Sequence, residues 1–127
     1  MKTDPRKLSL SEMYIAAQTM TPGSDEFNET FELAAKMFPE DQTANLNAAN
    51  AALSRGDLVS AAKYLSKAGN SQEAQYARGV LAAQQKDYKK AKEIFSSVNF
   101  PQARKAIDTL DAVTSQTKNK VTMATQK

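Results

Sequence analysis

Three residue types are missing from this 127-residue sequence altogether: cysteine, histidine and tryptophan. Without cysteine there are no disulfides and no thiol chemistry, though the compartment stays open, because many exported proteins also lack it. Without histidine, imidazole acid–base catalysis, Ser-His triads and most zinc sites are excluded. Glycine and proline are scarce, four of each, so little in the chain interrupts a helix. No apolar run approaches the ~20 residues of a membrane-spanning helix, and no membrane insertion is expected. The start, MKTDPRKLSLSEMY, is basic but has no apolar stretch, so it does not read as a secretory signal. That predicts either a cytosolic protein or a piece of a longer chain. Patterns of the GxxxxGK, GxGxxG and calcium-loop types are also absent. Carboxylates pair as Glu29 with Glu32, Glu40 with Asp41 and Asp108 with Asp111. None has an orienting base, an anion cradle or a metal spacing beside it. The expectation is no enzyme, no metal and no cofactor.

What is present favours helix. The chain is 41% hydrophobic and 24% charged. Its alanines are abundant and its β-branched residues sparse, and alanine loses no side-chain entropy when a helix fixes it. The net charge is +3, but it is not spread evenly. Residues 1–7 carry +2, residues 101–127 carry +3, and the body between them, with nine basic and eleven acidic residues, carries −2. A duplex-binding surface needs a concentrated basic stripe. The excess lies instead at the ends, as solvated tails and helix termini, and no nucleic-acid role is expected.

Seven helical segments are punctuated by caps and breakers. Ser9 with Glu12 makes a capping box for the first, which runs to about Met20. TPGSD ends it, and Ser24 opens the second, with Asp25 and Glu26 where the helix dipole favours acids. FPED separates the second from the third, which stops at Arg55 and Gly56. Asp57 caps the fourth and Gly69 closes it; Asn70 with Glu73 opens the fifth; Asp87 caps the sixth. Asn99 and Pro101 announce the seventh, since proline is tolerated in a first turn. Apolar stripes at helical spacing mark the helices, such as Leu58, Ala61, Leu65 and Ala68, or Tyr88, Ala91, Ile94, Phe95 and Val98. Short connections predict antiparallel neighbours. The fold class expected is all-α. The boundaries expected are an N-terminal extension at residues 1–8, a helical domain at 9–116 closed by a capping helix at 101–116, and a flexible tail at 117–127.

The text also repeats. At a step of 30, Asp57 maps to Asp87, Leu58 to Tyr88, Ala61 to Ala91, Leu65 to Phe95, Ala68 to Val98 and Ala49 to Gly79. Small residues in one helix thus face bulky ones in the next, and repetition at this period means stacked helix hairpins. GDLVSAAKYLSKA and KDYKKAKEIFSSV resemble the second half of a tetratricopeptide repeat (TPR), and Gly79 stands where that family places its helix-packing glycine. At a step of 34, Phe31 maps to Leu65 in an earlier unit that FPED would end. The family's large aromatic early in the first helix is replaced by Asn45 and Gln75. The resemblance covers residues 8–99 and implies a right-handed superhelix that binds a peptide or protein in its concave groove. A narrower wording, FPED with TANLNAANAAL and YARGVLAAQQKDY, is similar to C-terminal helical repeat regions of OmpA-like cell-envelope proteins of gut bacteria. That likeness implies an excised domain with a periplasmic or cell-envelope setting.

Under the repeat alignment the first helix of each hairpin lines the groove. This implies Met13 and Ala16 in the first unit, Leu46, Asn47, Asn50 and Ser54 in the second, and Tyr76, Ala77, Val80 and Gln84 in the third. Asn47 and Asn50 are three apart, so both amides share one face and could hold an extended peptide by its backbone. The plainer reading of NLNAAN is a solvated face. Peptide-carboxylate-binding relatives place cations where Leu46 and Ala77 stand, so carboxylate capture is not expected. RGD at Arg55–Asp57 has helix-ending and capping duties, and Lys89, Lys90 and Lys92 read as a wet face. The partner expected is a peptide or protein, bound by a chain that is monomeric in isolation. The alternative is a passive spacer within a larger envelope protein.

Overall fold

The computed structural model describes residues 9–125, so the N-terminal extension at 1–8 lies outside them. Among the described residues there are seven α-helices and no strand: α1 (Leu10–Gln18), α2 (Asp25–Met37), α3 (Gln42–Ser54), α4 (Leu58–Leu65), α5 (Gln72–Gln84), α6 (Tyr88–Ser96) and α7 (Pro101–Thr125). The starts of α1 to α6 are each held by a side chain that accepts an otherwise unpaired N–H. Ser9 and Glu12 complete the capping box, with Glu12 N–H donating to Ser9 Oγ at 3.2 Å and Ser9 N–H donating to Glu12 Oε1 at 3.1 Å. The Ser24, Asp41, Asp57 and Asp87 side chains accept from Phe27, Ala44, Ser60 and Lys90. One cap differs from the expectation. Ser71, not Asn70, opens α5, its Oγ accepting Ala74 N–H at 3.1 Å, because Gly69 and Asn70 are still in the turn. The last helix also runs beyond the boundary expected at 116, to Thr125. No glycine or proline stands in that stretch to stop it. Residues 126–127 of the expected tail lie outside the described residues.

Cross-contacts give the directions. Asn28 near the start of α2 reaches Ser54 at the end of α3, so these two run antiparallel. Gln42 at the start of α3 lies against Gly69 beyond the end of α4. Gln72 at the start of α5 accepts Asn99 N–H, just beyond α6, at 2.9 Å. Gln84 at the end of α5 donates to the Leu53 carbonyl at the end of α3, at 3.3 Å, so α3 and α5 lie side by side and parallel.

The step of 30 is legible in the coordinates. Asp57 N–H bonds to Ala52 O and Asp87 N–H to Ala82 O, both at 2.9 Å; Ala61 N–H bonds to Asp57 O and Ala91 N–H to Asp87 O, both at 3.0 Å. Ala61 and Ala91 are fully buried, and Leu65 and Phe95 are each 2% exposed. Two hydrophobic clusters result. Ala49, Ala52, Leu53, Ala61 and Leu65 pack with Ala74 and Ala77 in one. Ala82, Ala91, Phe95 and Val98 pack with Ala103 and Leu110 in the other. Gly79 sits under the Phe95 ring so closely that a Cβ there would collide with it. The two helices can approach only because one of them has no side chain at that point.

Candidate functional site

The first helix of the α2–α3 pair carries Phe27 and Phe31 one turn apart. The second carries Asn47, Asn50, Ala51 and Ser54 at the spacing that puts them on one face. These six, with Gly23 and Asn28, line a cleft of about 320 Å3. Its floor is aromatic. Phe27 and Phe31 meet edge to face with ring centroids 4.7 Å apart, and Tyr14 of α1 lies 5.9 Å from Phe31. Its rim is made of neutral amides and a hydroxyl, and no lining residue is ionised. Asn28 is buried at the base, its amide 3.5 Å from both Gly23 O and Ser54 Oγ. The Tyr14 hydroxyl is buried with the Asn47 amide beside it and, among the described residues, makes no well-aligned hydrogen bond. Burial pushes its pKa up, the Asp41 carboxylate adds to the rise, and the Asn47 amide opposes it. Among the described residues nothing bonds the side chain of Asn50, which is exposed on the rim.

Chemically this arrangement is suited to binding. Side-chain amides can donate to and accept from a peptide backbone, and an aromatic floor takes an apolar side chain. It has no nucleophile beside a base, which acyl or phosphoryl transfer would need.

The six candidate residues divide. Asn47, Asn50 and Ser54 come together in this cleft. Tyr76 packs instead on Phe95 and Phe100, with centroids 5.3 Å and 6.2 Å away. Val80 is half-buried and touches both hydrophobic clusters. Gln84 is exposed but uses its amide on the Leu53 carbonyl. Two residues expected on the groove are not open to it. Met13 is 2% exposed and Ala77 is 1% exposed, the latter because it belongs to the cluster joining α3, α4 and α5. Phe27 and Phe31 stand four apart in the sequence, a helical spacing that does not by itself mark a cleft floor.

A second feature has no signal in the sequence. Arg55, just past α3, makes a two-pronged bond to Glu32 of α2, Nε to Oε2 at 2.8 Å and Nη2 to Oε1 at 2.6 Å. Tyr64 of α4 donates to the same Glu32 carboxylate at 3.2 Å, and Asp57 lies 3.1 Å from Arg55. One guanidinium thus ties α2, α3 and α4 together. The Glu32 carboxylate bonded to it holds the Arg55 pKa above its ordinary value, with Asp57 adding to the rise. Burial, with the Glu32 charge beside it, raises the Tyr64 phenol.

Comparison with family models, with curated proteins and with solved structures finds no match for this chain. Among the described residues, no helix is long and apolar enough to cross a membrane. Nor, among them, do three or more aspartate or glutamate side chains gather where they could hold a metal ion.

Proposed function

We propose that this chain is a non-catalytic interaction module, a TPR-like stack of helix hairpins that holds an extended peptide of a partner protein. The peptide would lie along α3, its backbone on Asn47, Asn50 and Ser54 and an apolar side chain over Phe27 and Phe31. One observation carries this reading: an uncharged cleft in which amides with spare bonding capacity border an aromatic floor. The repeated caps at Asp57 and Asp87 and the parallel pairing of α3 with α5 support a stacked, open-sided array.

Panning a random peptide library against the full chain tests it. A selected peptide should bind Asn50→Arg about tenfold or more weakly than the parent, because the arginine fills the rim and brings an unpaired charge. Circular dichroism should stay unchanged, since Asn50 is exposed. Equal affinity for the two proteins would remove the cleft from consideration. A passive spacer is the second reading. It is favoured by Tyr76 and Gln84, whose side chains are engaged within the chain itself. It expects no peptide to be selected, and stable docking only to the rest of a parent protein.

A further inference from the structure

A second cleft opens on a different face of α2, between α2 and α4, with a volume of about 430 Å3. Three lysines converge on it: Lys36 from the last turn of α2, Lys63 from the last turn of α4, and Lys67 one turn further on. The Tyr64 ring and Pro39 give it apolar walls. The acids nearby are already engaged. Glu32 is bonded to Arg55 and Tyr64, and Asp57 to Arg55 and Ser60. Among the described residues no carboxylate pairs with Lys36, Lys63 or Lys67. Each lysine alone would be explained by its helix end, where a cation complements the dipole. That explanation does not account for all three facing one cleft, where like charges repel.

We infer that this cleft docks a short acidic segment of a partner protein, with carboxylates on the three ammonium groups and an apolar side chain between Tyr64 and Pro39. Lys63 in the last turn of α4 and Lys67 in the turn just beyond it can each take one acid of a short acidic run. A nucleic acid fits less well. The adjoining stretch of α2 presents Asp25, Glu29 and Glu32, so a longer phosphodiester chain leaving the cleft would meet carboxylates. A short acidic segment can end before them. This surface is separate from the amide-lined cleft and does not rest on its role.

The test is fluorescence anisotropy with the full chain and a fluorescein-labelled peptide of Glu-Glu-Leu repeats at low ionic strength. The expected result is saturable binding, about tenfold weaker for the double variant Lys63→Gln, Lys67→Gln. It should be unchanged for Lys89→Gln, Lys90→Gln on α6, and unchanged for Asn50→Arg. Three results would overturn the proposal: no saturable binding, an equal loss in the α6 variant, or tighter binding of an oligothymidylate of the same charge. Insensitivity to Asn50→Arg separates this outcome from the fate of the amide-lined cleft.

Discussion

Gly56 and Lys86 hold equivalent places one repeat apart, between the end of one helix and the capping aspartate of the next. Both are in the left-handed region, with φ of 77° and 66°. Glycine occupies it freely, whereas a lysine there brings its Cβ against the backbone. The repeat was readable in the sequence from Asp57, Ala61 and Leu65 with Asp87, Ala91 and Phe95. The strain at Lys86 was hidden, because the chain writes lysine where its earlier unit writes glycine. Lys86→Gly should therefore stabilise the protein by about 1 kcal/mol, and Gly56→Lys should destabilise it by a similar amount. Urea unfolding of the two variants checks both signs. Opposite shifts are expected, and shifts of the same sign would mean that the two turns are not equivalent.

At the scale of the helix, the caps carry most of the punctuation. Asp57 accepts from the Ser60 N–H and hydroxyl, and these bonds, with Arg55 beside it, hold its pKa below the ordinary 3.8. A carboxylate with a lowered folded-state pKa lends its full stability above its unfolded value and loses it as the pH falls through the folded one. The window here is therefore below 3.8. Asp57→Asn keeps a capping oxygen but no charge. Its stability should fall less steeply than the parent's as the pH drops below about 4, as read by urea midpoints. Parallel slopes would show that the charge at this cap does not matter. The other end of α4 has a cap that sequence reading missed. Arg78 of α5 donates through Nη2 to Leu65 O and Gly69 O, both at 2.7 Å, while among the described residues nothing pairs with its buried Nη1. Nothing in the spacing of its own helix marks Arg78 for this contact. Its role depends on how α5 meets the end of α4, which no local pattern encodes.

Across the whole molecule, burial is uneven. α3 buries seven of its 13 residues, Asn45 among them, whereas α1 buries only Met13 and Ala17. The Asn45 amide donates to Pro39 O at 3.0 Å and Asp41 O at 2.8 Å, pinning the FPED turn. A helix with few buried side chains has little to hold it against local opening. Native-state hydrogen exchange should find the α3 amides slowest and the α1 amides fastest. Equal protection of the two would mean a single cooperative body. The helix count and pairing followed from caps and stripes. The clefts did not, because each depends on how α2 meets its neighbours, and no local pattern encodes contacts such as that of Arg55 with Glu32.

That guanidinium is 42% exposed, so dissolved ions reach the link it makes between α2, α3 and α4. A joint held by charge and open to solvent loosens as electrolyte rises, while the alanine-packed seams beside it do not. The cleft between α2 and α4, which Arg55 itself lines, therefore has one wall tied by a bond that the ionic surroundings can weaken.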